Sequence, residues 1–183
     1  MIYQGVTKPQ VTSHPQLKSA VKTLFNWYNE GAPYSLIIAG NPGSGKSTML
    51  RAMQMMIGGK FRTEYDLLNA YSQTRAEAIQ QIKGNGLIFL DDVGVEKIPP
   101  FVKQQDEKID DYFHGFYTVL FDYHGEPNRY TRFCISTNLD VDAFFRRIGD
   151  RASSRIQGLI GSKDHFIRLF DVPNFRAEGW IKS

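Results

Sequence analysis

The run Gly40-Asn41-Pro42-Gly43-Ser44-Gly45-Lys46-Ser47-Thr48 fits G-x-x-x-x-G-K-[ST], a spacing that wraps a polyphosphate in backbone N–H groups. Its flanks have the required character. Ser35-Leu36-Ile37-Ile38-Ala39 reads as a short buried strand, and Ser47 to Ile57 as a helix. Glycines let the loop turn its amides inward, and the helix that follows aims its positive end at the bound anion. Asn41, Pro42, Gly43, Ser44, Gly45, Lys46, Ser47 and Thr48 are therefore the candidate nucleotide-binding residues. Lys46 would neutralise the β- and γ-phosphates of ATP, and the Ser47 hydroxyl would sit on Mg²⁺. The competing reading is a Gly-rich strand-to-helix turn that holds no ligand.

A second constellation lies downstream. Leu87-Ile88-Phe89-Leu90-Asp91-Asp92 is an apolar strand ending in two carboxylates. Acids delivered at a strand's carboxyl end, beside a phosphate loop, suit metal binding and water activation. Asp91 would hold Mg²⁺, and Asp92 would polarise the attacking water; on its own, Asp-Asp could equally open a turn. A third strand, Arg132 to Ser136, runs into Thr137 and Asn138. An amide at that tip can orient a water against the γ-phosphorus, because Asn both donates and accepts. Alternatively, Ser-Thr-Asn-Leu-Asp simply caps the helix that begins at Val141. Arg151 and Arg155 share one face of a helix at i and i+4. Their spacing favours a solvated surface or an ion pair with Asp150, and leaves open a finger that reaches a neighbour's nucleotide.

The elements needed to position these groups can be read along the chain. Residues 1–15 form an extended arm, and 16–183 form a single domain, as the length of 183 residues allows. Leu17, Val21, Leu24, Phe25 and Tyr28 predict an amphipathic helix stopped at Gly31-Ala32-Pro33. Gly58-Gly59 ends the helix after the loop. A short strand is expected over 60–63, two short helices over 65–71 and 74–82, and a longer helix over 106–122. Helices over 141–148 and 150–157 then lead to a strand over 165–170. Strands alternating with helices predict an α/β fold of three layers around a central parallel sheet.

Composition sets the outer limits. The chain is 42% apolar, 22% charged and 13% aromatic, with a formal net charge of +3. This is a globular composition, mildly basic, compatible with nucleic-acid contact without demanding it. Cys134 is the single cysteine, so neither a disulfide framework nor a Cys/His zinc site can be built. The four histidines lack metal-ligand spacing. No apolar run approaches a membrane span, so a cytoplasmic protein without a membrane partner is expected. Tyr112, Phe113, Phe116, Tyr117, Leu120 and Phe121 read as core, with an aromatic platform for single-stranded DNA as the alternative. Lys97, Lys103, Arg129, Arg132, Arg146 and Arg147 could line a basic channel.

Taken in order, the phosphate loop, Leu-Asp-Asp-Val-Gly-Val-Glu, Ser-Thr-Asn-Leu, Gly-Asp-Arg-x-x-Ser-Arg-Ile and the closing Phe-Ile-Arg-Leu with Asn-Phe-Arg resemble a known group. The chain is similar to the AAA+ domain of the DnaC/IstB-like ATPases, which include bacterial and phage replicative-helicase loaders and transposition helpers. The resemblance spans Leu17 to Arg176. It implies a P-loop NTPase core of AAA+ type without a C-terminal lid domain. Lys46 and Ser47 would be its Walker A residues, Asp91 and Asp92 its Walker B acids, and Asn138 its sensor. Arg155, with Arg151 as nearest rival, would be the arginine finger. Glu96 and Arg176 match family positions whose roles the residues themselves do not reveal. The implied function is Mg²⁺-dependent ATP hydrolysis in DNA replication, slow and stimulated by DNA or assembly. The implied partners are a replicative helicase or other DNA-remodelling protein, single-stranded DNA, and copies of the chain in an ATP-dependent homo-oligomer. A transposition helper and an ATP-gated adaptor with negligible turnover are the alternatives. A superfamily III helicase and a small-molecule P-loop kinase fit less of the pattern. A bacterial, phage or mobile-element origin follows from the same resemblance. It departs from the loaders in that residues 1–30 are expected to hold only an arm and one helix where those proteins usually carry a helicase-binding domain, and in an Asp where the second Walker B acid is usually Glu.

Overall fold

The computed structural model describes residues 14–32, 34–83, 86–94, 109–122, 131–160 and 165–175. Five strands, β1 (Leu36–Gly40), β2 (Lys60–Thr63), β3 (Leu87–Val93), β4 (Arg132–Thr137) and β5 (Phe166–Leu169), form one sheet in the order β2-β3-β4-β1-β5. Every pairing is parallel. Seven described helices flank them: α1 (Pro15–Asn29), α2 (Lys46–Ile57), α3 (Glu64–Gln73), α4 (Arg75–Ile82), α5 (Ile109–Asp122), α6 (Val141–Ile148) and α7 (Asp150–Ile160).

Parallel strands covered on both faces read as near-continuous apolar runs, and β1, Leu87 to Leu90 of β3 and Phe133 to Ile135 of β4 do. Alternate residues of each strand feed two separate cores. Leu36, Ile38, Leu87, Phe89 and Cys134 pack with α1 and α2. Ile37, Ile88, Leu90, Phe133 and Ile135 pack with α3 to α7. This division follows from chain direction. The step from β1 to β2 runs one way across the sheet and those from β2 to β3, β3 to β4 and β4 to β5 run the other. Right-handed crossovers then put α2 on one face and α3 to α7 on the other. Between β1 and β4 the chain leaves toward opposite faces, which opens a crevice at their carboxyl ends.

Local chemistry sets several boundaries. Thr63 and Asp66 form a reciprocal capping box at the start of α3. Thr74 caps α4 and Asp140 caps α6 through side-chain oxygens. Helix α5 buries seven aromatic or aliphatic side chains on nearly every side, so it serves as a central core element. Its aromatic stripe is therefore core, and no stacking platform is exposed on it.

Helix α1 begins at Pro15, and its inward face differs from expectation. Leu17, Ala20, Leu24 and Trp27 are buried, Tyr28 is partly buried, and Val21 and Phe25 stand exposed. Trp27 decides the rotation. Its ring is fully buried and its indole N–H donates to the Tyr34 carbonyl at 2.8 Å, satisfying the polar edge of the largest side chain. No described helix is long and apolar enough to cross a membrane.

Candidate phosphate-loop site

The loop from Asn41 to Gly45 joins β1 to α2 at the crevice between β1 and β4. Helix α2 starts with Gly45 in the left-handed region, φ 93°, with no side-chain cap and no acid in its first turn. The first amides of a helix need acceptors, and α3, α4 and α6 provide them from their own side chains. Helix α2 has no such side-chain cap, the arrangement of a helix start that can receive an anion. The Ser44 hydroxyl is buried in the loop and has no hydrogen-bond partner among the described residues. Gly43 is at φ 79°, and a Cβ there would lie 2.0 Å from Asn174 Oδ1. The positive φ favours glycine there, and a Cβ would have to displace the Asn174 side chain. The segment after β5 closes on the loop: Phe175 N–H donates to Gly43 O at 3.3 Å, and the Asn41 amide donates to Phe170 O.

Lys46 is 4% exposed, and its ammonium donates to Gly40 O and Asn41 O at 2.8 Å each. These loop carbonyls hold the cation at the mouth of the crevice. The Ser47 hydroxyl donates to Asp91 Oδ1 at 2.9 Å. Ser136 of β4 donates to the same oxygen and accepts the Asp92 N–H at 3.1 Å. Thr137 Oγ1 donates to Val93 O at 2.7 Å and accepts Leu139 N–H. Asp91 is 5% exposed, whereas Asp92 is exposed and sits at φ 58° beside a register break between Leu90 and Val93. A non-glycine residue in that region is uncommon, and a bulge at a strand end re-aims the side chain.

The donor set fits Mg²⁺. That ion binds hard oxygens and takes one or two carboxylates plus phosphate and water. Asp91 and Ser47 supply adjoining hard oxygens, with Asp92 next along the strand. Among the described residues no group of three or more His, Cys, Asp or Glu forms an all-protein metal cage.

Strand register brings the third tip in. Thr137 is level with Ala39 of β1 on one side and Val93 of β3 on the other, so Asn138 emerges between the loop and the acids. It is exposed. Pro42 is exposed as well, and Thr48 is half-buried in the first turn of α2.

Arg151 and Arg155 are elsewhere. Both bind Asp122, the last residue of α5: Arg151 Nη2 at 2.7 Å and Arg155 Nε at 2.9 Å. Phe121 packs edge-on against Phe133 near the start of β4, and Leu159 O accepts Ser35 N–H just before β1. These contacts set the arginine pair toward the amino edge of the sheet, away from the loop. Of the other arginines, Arg132 donates to Gly31 O, Ala32 O and Gly86 O, and Arg147 stacks on Phe113 at 3.6 Å. Both make these contacts within their own chain. Glu96, Lys97, Lys103, Arg129, Arg176 and the arm to residue 13 lie outside the described residues.

Sequence reasoning missed Ser136 and Glu64. Ser136 lay within a strand end read for its Asn, and Glu64 contacts Gly94 across a separation that a local pattern does not carry. No family model matches the chain, and no curated protein matches it.

Proposed function

We propose that this chain is a Mg²⁺-dependent ATPase with an AAA+ P-loop core, acting in DNA replication as a helicase-loader-like factor. One observation carries the ATPase reading. Ser47 and Asp91, 44 residues apart, meet in a hydrogen bond beside a buried lysine and an uncapped helix start. A structural turn would need none of these. The interposed β4 supports the reading further, since it gives a water-orienting residue its own strand tip between loop and acids. The role in DNA replication rests on the order of the motifs, together with a mildly basic charge balance.

In this mechanism Lys46 exchanges its carbonyl partners for β- and γ-phosphate oxygens, and the α2 amides take the remaining charge. Asp91 and Ser47 would hold Mg²⁺, which would supply the charge that neutralises the phosphates. Asp92 polarises a water that Asn138 orients, the water oxygen attacks the γ-phosphorus, and the bond to the bridging oxygen of ADP breaks. Arg155, or Arg151 in its stead, comes from a second copy, a view favoured by their distance from the loop of their own chain.

Calorimetry of Mg²⁺ and ATP with folded protein tests the core of the proposal, and absence of binding heat would overturn it. Phosphate release should rise with single-stranded DNA. Mixing Lys46→Ala with Arg155→Ala should restore some turnover, because one interface of the mixture then has both parts intact. An adaptor with negligible turnover is the second reading, favoured by an Asp as second acid and by arginines already paired with Asp122. Asp92→Asn separates the two: an adaptor keeps its activity, whereas an ATPase locks in its bound state.

A further inference from the structure

Glu64 opens α3 and is 2% exposed, unusual for a carboxylate. Both of its oxygens accept the Gly94 N–H at 3.1 Å, and Tyr117 OH donates to Oε1. Gly94 is two residues beyond Asp92, at φ 84°, where a Cβ would strike Leu139 Cδ1 at 2.4 Å. Two peptide units of this turn, 91–92 and 93–94, are thus pinned by side chains from two elements, β4 and α3. Ser136 takes the N–H of Asp92, Thr137 donates to the carbonyl of Val93, and Glu64 takes the N–H of Gly94.

We propose that Glu64 is a positioning residue for hydrolysis, holding the left-handed turn that aims Asp92 at the attacking water. This rests on the ATPase reading above. Asp92 at φ 58° occupies a region that persists only where its surroundings over-determine it. Ser136 and Thr137 hold the turn from β4, and Glu64 holds it from the opposite flank, through α3. Released on that flank, the turn relaxes and Asp92 swings away, while Lys46, Ser47 and Asp91 keep their own bonds. A misplacement of about 1 Å at a reacting group costs turnover on the order of 100-fold. Nucleotide affinity does not depend on that turn.

Two variants separate reach from charge. Glu64→Asp keeps the charge, but one methylene less cannot span to Gly94. Glu64→Gln loses the charge and keeps an oxygen that accepts the Gly94 N–H. Turnover and the ATP dissociation constant are measured for both, together with thermal midpoints and Gly94 amide exchange. Glu64→Asp should lose roughly 10- to 100-fold in kcat with nucleotide affinity held within about two-fold, and Gly94 should exchange faster. Glu64→Gln should remain near wild type in both respects. The reverse order, two near-normal variants, or parallel losses of midpoint, affinity and turnover in both overturn the assignment. So does a wild-type protein that binds ATP and never hydrolyses it. Failure of the wild type to bind ATP would instead remove the ATPase reading itself.

Discussion

The carboxyl edge of the sheet and the Asp122 cluster each gather charged residues, and they do so in opposite ways. At the carboxyl edge, Lys46 and Asp91 are almost fully buried; loop carbonyls accept from the first, and the hydroxyls of Ser47 and Ser136 donate to the second. At Asp122 two arginines share one carboxylate, with side chains 70% and 53% exposed. Burying charge is expensive, and a chain that does so at a strand tip beside an uncapped helix is organised around something those charges bind. Exposed ion pairs are worth little and break readily. Under the proposed function the first region would be a preformed half-site, and the second a reserve of positive charge that a different negative group could take over.

The strongest way to break that contrast is Lys46→Ala. Removing the cation from the crevice should lower turnover by about 100- to 1000-fold, in line with the loss of one preorganised charge-stabilising donor. Calorimetry should show ATP binding weakened in parallel. A variant that still hydrolyses ATP normally would reduce the buried lysine to a loop brace. Asp91→Asn comes next. It leaves an amide that can still accept from Ser47 and Ser136, so folding should survive. Turnover should fall on the order of 10- to 100-fold, with a raised Mg²⁺ requirement, measured by phosphate release against Mg²⁺ concentration.

How much of this contrast the sequence carries depends on whether a group acts locally. The phosphate loop, its strand and its helix are contiguous, so Gly43, Gly45, Lys46 and Ser47 can be assigned from spacing. The apolar runs of β1, β3 and β4 are legible because strands covered on both faces tolerate little else. Asp91 and Asp92 are legible as a strand end. Their partner Ser136 is not, because its role depends on β4 lying between β1 and β3, a fact of topology. Glu64 has the same difficulty: an acid at a helix start looks like a favourable dipole contact, and only the fold turns it inward to Gly94. On α1 the counting of large aliphatics misjudged the face, since Ala20 and Trp27 complete the buried stripe in place of Val21 and Phe25. The fate of Arg151 and Arg155 could be read as an i, i+4 pair, whereas their shared anchor Asp122 belongs to another helix.

A smaller effect comes from groups buried in the cores between these regions. Burial, then the neighbouring Glu64, raises the Tyr117 hydroxyl well above its ordinary value of 10.0, and burial alone raises the Cys134 thiol above 9.0. In the unfolded chain both ionise at ordinary values while the native chain keeps its protons. The unfolded state then binds fewer protons, so stability falls as pH rises through and beyond those ordinary values. Below about pH 8 neither group contributes to pH dependence. Urea midpoints from pH 8 to 11 should decline, by at most about 1.4 kcal/mol per pH unit for each group. Cys134→Ala should flatten the earlier part of the decline.

The smallest effect sharpens the contrast most. Asp122→Ala removes the shared anchor of Arg151 and Arg155 at a place the aromatic contact between Phe121 and Phe133 sets near the amino edge. Exposed pairs of this kind contribute below about 1 kcal/mol, so the thermal midpoint should move by no more than about 4 °C. Affinity for ATP in an isolated subunit should be unchanged, because nothing at the loop loses a partner. Turnover at high protein concentration should rise if the arginines serve a neighbour's nucleotide, since they no longer have to leave a carboxylate to do so. A loss of ATP affinity in the monomer would mean that the two regions are coupled within one chain. Unchanged turnover at every concentration, with affinity intact, would mean the arginines are surface charges and the second half of the site is made of other residues.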